Sequence, residues 1–390
     1  MSGTRRFWWK VPRNRRILAV LLLISAAAAV YVLGVRHAMT DFGVCYQAGG
    51  RILSAETLYR ETDGHLQFKY APAAALFFAP FSALPWEAAK VAWFIVMGAS
   101  LAGILLIVSR WAARPGVSTR WPLFWTVAVT AKCLGREFEL GQVNLLILLL
   151  MVLMVREAAA GRELTAGFFW GLSLLFKPYA VIFLPYLILK KKWTTVAAGT
   201  AAFLAGLSVP VLVYGGAGNG TVLGEWLRSL AGSTPGLLWV GDNASLYAFI
   251  AKTFGLTSAA EAMVAGGVCA AAFGVLFLWM TLQGPKEKIP GAAYAEASVL
   301  MMLIPMLSPL GWNYNYLYGL PAVFILLTAL PRFRRVERVV LIVDFILIGG
   351  TLREVLGKTA FRFYQGRSLV VPCFLFLLWM LFVARRRRYL

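Results

Sequence analysis

The chain has 390 residues, of which 60% are apolar and only 14% charged, whereas ordinary globular proteins carry about 25% charged residues. That deficit, with a mean hydropathy of +0.73, leaves too little polar surface for a water-soluble fold and excludes a soluble enzyme. The formal charge of +21 sits in short basic clusters between apolar runs, which marks cytoplasmic loops facing anionic lipid and argues against nucleic-acid binding.

The first cluster is Arg5, Arg6, Lys10, Arg13, Arg15 and Arg16; later ones are Lys190 to Lys192, Arg332 to Arg338 and Arg385 to Arg388. The first apolar run resembles a signal peptide, with Ala26 to Ala28 as a possible cleavage site. It continues through Leu33, however, and reads as an uncleaved helix. A bilayer core about 30 Å thick asks for about 20 apolar residues per helix. Candidate spans lie at 17–34, 88–108, 121–134, 142–155, 163–176, 178–190, 194–214, 258–281, 293–308, 316–330, 338–352 and 368–385. Basic residues at both termini place both in the cytoplasm, so the number of crossings is even, and twelve satisfies this. The expected fold is an all-α polytopic membrane protein, a single domain over 1–390.

A second register is open. The run 71–84 can be a span of its own if 163–190 is one long helix broken at Lys177-Pro178. Segment length and the convergence of polar residues favour the first register, because it puts Asp41, Gln142, Asn144, Lys177, Asn243 and Ser308 to Tyr316 on one outer face. Two segments there are long enough to carry a site, 35–87 and 215–257. The first mixes Tyr46, Ile52, Leu53, Leu58 and Tyr59 with polar residues, as short amphipathic helices on a membrane surface do.

Asp41 follows the first helix closely, where a carboxylate meets both a lipid head group and water; the alternative is a helix-end cap. Tyr46, Tyr59, His65, Lys69 and Tyr70 accompany it, and aromatic and hydroxyl groups beside a carboxylate suit a sugar. Lys69 can equally snorkel at the interface, and His37 and His65 read as solvated. Gln142 and Asn144 open an apolar span just after Lys132, Arg136, Glu137 and Glu139, as substrate ligands or as helix caps.

Lys177-Pro178 interrupts the apolar stretch 168–189. Proline breaks the helix there, and an ammonium at that depth needs a partner, which a lipid phosphate would supply. A connecting turn in the head-group layer is the plainer reading. Ser308 to Tyr316 holds Trp312, Asn313 and Asn315 between apolar runs, as an aromatic belt or a hydroxyl-recognising loop. Asp344 is an intramembrane acid, read as a helix-to-helix hydrogen-bonding group with a proton relay as the alternative. Asn243-Ala-Ser245 is a weak N-glycosylation match. Cys45, Cys133, Cys269 and Cys373 lie too far apart for a zinc site or disulfide framework. The sequence contains no P-loop, dinucleotide fingerprint or acidic metal pair. Any transferred group is therefore expected from an activated lipid, without metal or other cofactor.

The order of several short stretches resembles the polyprenol-phosphate-sugar-dependent glycosyltransferases of family 87, membrane enzymes of the GT-C superfamily that include bacterial mannosyltransferases. These stretches are Asp41-Phe42 with Tyr46 and Ala48, then Leu58-Tyr59; Phe68 to Pro72 with Ala73 to Pro80; Gly141 to Asn144; Gly171-Leu172 to Lys177-Pro178; Asn243 to Leu246; and Leu307 to Trp312. They span about 40 to 315. Ala71-Pro72 stands where the family usually has two prolines, and Asn313, Tyr314 and Asn315 where it often has histidine.

The resemblance implies a GT-C fold and a polyprenyl-phosphate-sugar donor, with mannose the expected sugar. It implies a cell-envelope glycolipid or glycan acceptor, and catalysis on the outer face of a bacterial plasma membrane, toward the periplasm or exterior. Asp41 would be the base. Lys69, Lys177 and Arg136 would hold the donor phosphate. Tyr46, Tyr59, Tyr70, Gln142, Asn144, Asn243, Trp312, Asn313 and Asn315 would contact substrate. A lipid phosphate leaves without a general acid, so one carboxylate and cations suffice for displacement with inversion. The competing class is a transporter or lipid-linked-sugar flippase, against which no inverted repeat is visible.

Overall fold

The structure is a computed structural model that describes residues 27–111, 118–231, 235–282 and 290–389, together with Ser25. The basic N-terminal cluster and half of the first predicted span lie outside the described residues. What remains is helical, with no strand among the described residues beyond one isolated bridge between Asn243 and Trp312.

The end of the first helix, a π-turn over Tyr31–Val35, leads into α1 (Thr40–Leu53). After a 3-10 turn at Glu61–Leu66 come α2 (Pro72–Ser82), α3 (Trp86–Trp111), α4 (Arg120–Leu140), α5 (Asn144–Ala159) and α6 (Glu163–Phe176). A 3-10 turn at Pro178–Ile182 opens onto α7 (Phe183–Leu189), followed by α8 (Trp193–Ser208), α9 (Val211–Ala231) and α10 (Leu246–Phe254). The chain continues through α11 (Ala259–Leu282), α12 (Pro290–Leu307), α13 (Leu320–Ala329), α14 (Arg335–Gly350), α15 (Arg353–Gly366) and α16 (Val370–Arg386).

Several sequence expectations change. The predicted span 194–214 is interrupted at Val209-Pro210, and the backbone leaves the helical region at Gly215 (φ +68°, ψ 175°), so that α8 and α9 lie at 94° to each other. Apolarity runs through that break, so hydropathy alone hides it. The segment 215–257 therefore begins as helix rather than loop. The span expected at 121–134 extends to Leu140, and α15 is helical where no element was expected. Among the described residues, three helices are long and apolar enough to cross a membrane alone, or up to five if each bent pair is one span. The expected count of twelve is not reproduced by that measure.

Close approach of α6 and α8 organises the region that ends in Lys177. A Cβ on Gly171 would lie 2.4 Å from the Gly199 carbonyl oxygen, and one on Gly167 would lie 2.5 Å from that of Thr195. Only glycine lets the two backbones meet, as small residues four apart do between membrane helices. Pro178 then ends α6. Lys177 is extended (φ −141°, ψ 134°), and Trp170 Nε1 donates to the Ala180 carbonyl, fixing the turn.

The sidedness of the helices follows from their end contacts. Ala71 N donates to Leu175 O, and Ser82 Oγ at the other end of α2 donates to Tyr46 O. With 11 residues, α2 is about 16 Å long, short of a bilayer core. Gln142 is in direct hydrogen bond with Asp41, so the two lie at one end of the bundle. The second register, which puts them on opposite sides, is therefore incompatible with the fold. At the opposite end of α5 to α7, Arg156 and Arg162 pair with Glu157, and Lys192 with Glu163. Glu296 pairs there with both Lys190 and Arg385.

Candidate active site

Phe42 sets the site's geometry. It is fully buried and stacks on Trp93 at 5.5 Å and on Trp86 at 5.7 Å, which seats the first turn of α1 against α3. Trp93 Nε1 in turn donates to Gly141 O at 2.9 Å. Gly141 ends α4 in the left-handed region (φ +69°), and a Cβ there would lie 2.7 Å from Phe42 Cβ. One buried indole thus draws Asp41 and Gln142 to the same place.

They meet in a cavity of ≈ 490 Å³ whose wall includes Asp41, Lys69, Tyr70, Gln142, Lys177, Tyr179, Trp312 and Tyr314, with Phe68, Phe176 and several aliphatic residues. The Gln142 amide nitrogen donates to the Asp41 carboxylate and, at 3.2 Å, to Tyr314 Oη. Its amide oxygen accepts from Lys177 Nζ at 3.1 Å. Asn144 Oδ1 also accepts from Lys177 Nζ, at 2.9 Å, and from Tyr318 Oη at 3.1 Å. Behind it, Glu137 accepts from Asn144 Nδ2 at 2.8 Å and from Leu145 N at 3.1 Å. The Lys177 ammonium also lies 5.6 Å from the Tyr70 ring centroid and 5.5 Å from that of Tyr179, contacts worth about 0.5–2 kcal/mol each. Both of its hydrogen-bond acceptors are neutral amides, so its charge is oriented without being neutralised by direct contact with a carboxylate.

Lys69 reaches the same cavity from the loop before α2, and partial burial holds its pKa below the ordinary lysine value. Two cations and one carboxylate therefore face one space walled by apolar and aromatic groups. Such a space can hold a phosphate joined to an apolar chain and bring a hydroxyl to the carboxylate.

Other predicted ligands have structural duties. Tyr46 Oη donates to Leu84 O and Tyr59 Oη to Tyr70 O, so both tyrosines pin backbone. Asn243 is fully buried, donates to the Leu237, Leu238 and Pro309 carbonyls, and accepts from Ser245 N and Gly311 N. That burial also removes it as a glycosylation acceptor. Asn313 joins the loops through its backbone, its N–H donating to Asp242 O. Asn315 is buried, with Nδ2 3.5 Å from Tyr179 Oη. Asn144 sits behind the wall, and Arg136 pairs with Glu139 at 2.7 Å on an exposed helix end.

Glu137, Tyr179, Tyr314 and Tyr318 belong to the site but were not singled out from the sequence. Glu137 was hidden among Arg136 and Glu139 as one of a loop-end charge cluster. Spacing offered a signal for Tyr314 and Tyr318, four residues apart. Asp344 is buried, with Cys373 as a hydrogen-bond partner and no role in the cavity.

Comparison with known proteins adds a family. The chain is 25% identical over 327 residues to the polyprenol-phosphate-mannose-dependent alpha-(1-2)-phosphatidylinositol pentamannoside mannosyltransferase of Mycolicibacterium smegmatis, covering 81% of this chain and 76% of that one. It is 29% identical over 196 residues to the alpha-(1->3)-arabinofuranosyltransferase of Corynebacterium glutamicum, covering 47% and 44%. Among solved structures, ArnT from Cupriavidus metallidurans bound to undecaprenyl phosphate aligns with 94% of this chain and 77% of its own, at a TM-score of 0.43 and 12% identity. The family model of glycosyltransferase family 87 matches residues 68–309, more than half of the chain, and the protein is a member of that family.

Proposed function

We propose that this membrane glycosyltransferase moves a hexose, with mannose the first candidate, from a polyprenyl-phosphate donor to a hydroxyl of a cell-envelope glycolipid or glycan. The reaction takes place at the outer face of a bacterial plasma membrane, toward the periplasm or exterior, at the end of the bundle that holds Asp41. The observation that carries this reading is the opposition of Asp41 to Lys177 across one cavity, with Gln142 bonded to both. The relatives named as polyprenol-phosphate-mannose-dependent support the donor class.

The acceptor oxygen attacks the anomeric carbon, and its proton passes to the Asp41 carboxylate. The bond from that carbon to the phosphate oxygen breaks on the opposite face, so configuration inverts. The departing lipid phosphate gains a negative charge, which Lys177 and Lys69 stabilise. The Gln142 N–H donated to Asp41 orients the carboxylate toward the acceptor. Incubation of the purified protein with radiolabelled polyprenyl-phosphate-mannose and cell-envelope acceptors should give label transfer that depends on acceptor. Absence of transfer with every acceptor fraction and with alternative lipid-linked sugars would contradict the reading.

A further inference from the structure

A second cavity of ≈ 510 Å³ adjoins the first and shares Gln67, Lys69 and Leu237 with it. Its size falls in the range of about 300–1,000 Å³ usual for small-molecule sites. Its lining differs in kind: Glu61 and Gln67 come from the turn after α1, and Glu225 and Arg228 from α9, beside Lys69 and Tyr59. Glu225 and Arg228 are three apart on one helix and share a face. The wall is tied together, since Trp226 Nε1 donates to Lys69 O at 3.1 Å and Ser229 Oγ to Gln67 Oε1 at 3.3 Å. Glu225 Oε2 is shielded from solvent and has no hydrogen-bond partner among the described residues. A shielded carboxylate oxygen without a donor is costly unless a ligand supplies one.

We propose that this chamber binds the neutral glycan part of the acceptor, beyond the sugar whose hydroxyl is placed at Asp41. The inference rests on the transferase reading above. The charges lining the chamber balance, Lys69 and Arg228 against Glu61 and Glu225, so a polyol can donate to the carboxylates and accept from the cations. A phosphorylated head group would meet two carboxylates as well as the two cations, with no net positive charge to hold it. The shared wall at Lys69 lets one molecule occupy both spaces, with its reacting end in the first cavity. The 94° turn between α8 and α9 brings α9 over the 67–71 loop and so builds the chamber.

The test is direct binding, without donor or turnover, to the full chain in lipid nanodiscs. Mannose, mannobiose, mannotriose and inorganic phosphate are titrated by calorimetry against the unaltered protein, Glu225→Gln and Arg228→Met, with melting temperatures recorded. Affinity should rise with oligosaccharide length in the unaltered protein. Each variant should bind mannotriose about tenfold more weakly, the scale of one charge-assisted hydrogen bond, with mannose affinity and melting temperature unchanged. Affinity independent of length, unaltered mannotriose affinity in both variants, or phosphate binding that is lost in Arg228→Met would overturn the proposal. Length-dependent binding in a protein that fails to transfer sugar would count against the transferase reading alone.

Discussion

Lys177 Nζ lies 3.1 Å from the side-chain oxygen of Gln142, and the nitrogen of the same amide donates to Asp41. One neutral side chain therefore sets the orientation of both the cation and the anion. Replacing Gln142 by Leu removes both contacts while keeping the volume. The transfer kcat should fall about 10- to 100-fold, with helical content by circular dichroism unchanged. A variant as fast as the parent would mean that Asp41 and Lys177 hold their places without it.

Lys177 should separate from the acceptor side in binding. Lys177→Met and Lys69→Met should weaken donor binding, measured with a non-reactive polyprenyl phosphate, and Lys177→Met should leave acceptor KM nearly constant. Unaltered donor affinity in both variants would remove the phosphate role. Burial lowers the pKa of Lys69, so its ammonium, present at lower pH, is lost as pH rises earlier than for a solvated lysine. The alkaline fall of kcat/KM for donor should therefore move to higher pH in Lys69→Arg, whose guanidinium keeps its charge. An identical profile in the variant would show that another group sets that limb.

The α6–α8 contact predicts a stability effect away from the cavity. Gly171→Ala places a methyl 2.4 Å from the Gly199 carbonyl oxygen, and overpacking of this kind costs about 1–3 kcal/mol. The melting temperature in detergent should drop, and donor affinity should drop with it, because α6 ends at Lys177. A melt equal to the parent's would show that the helices can part without loss.

Orientation has its own test. A cysteine at Ser118, in a background without the four native cysteines, should resist a membrane-impermeant thiol reagent in intact spheroplasts and react after lysis. Labelling before lysis would put the α3–α4 connection outside, and the Asp41 cavity on the cytoplasmic side.

Asp41 was legible from its place just after the first helix and Lys177 as a charge in an apolar run, and the proline after Lys177 announced the helix break that the structure contains. The tyrosines were not separable. Tyr46, Tyr59 and Tyr70 stand in similar contexts, but the hydroxyls of Tyr46 and Tyr59 go to backbone carbonyls, a choice made by tertiary packing. In the 308–316 segment the two asparagines looked like the recognising groups, yet Tyr314 lines the cavity and Asn313 bonds a neighbouring loop through its backbone. Glu137 was invisible because α4 runs on through Leu140, turning an apparent loop charge into a buried one. The chamber beside Lys69 depends on the 94° turn between α8 and α9, with its break at 209–210 and its left-handed Gly215, which hydropathy does not register.

The central claim is that Asp41 takes the acceptor's proton, and Asp41→Asn tests it most directly, since it keeps shape and removes basicity. In the label-transfer assay with normally expressed protein, the rate should fall about 10²- to 10⁴-fold, while non-reactive polyprenyl phosphate binds with parental affinity. Full transfer activity in Asp41→Asn would contradict the account and leave Asp41 a structural residue.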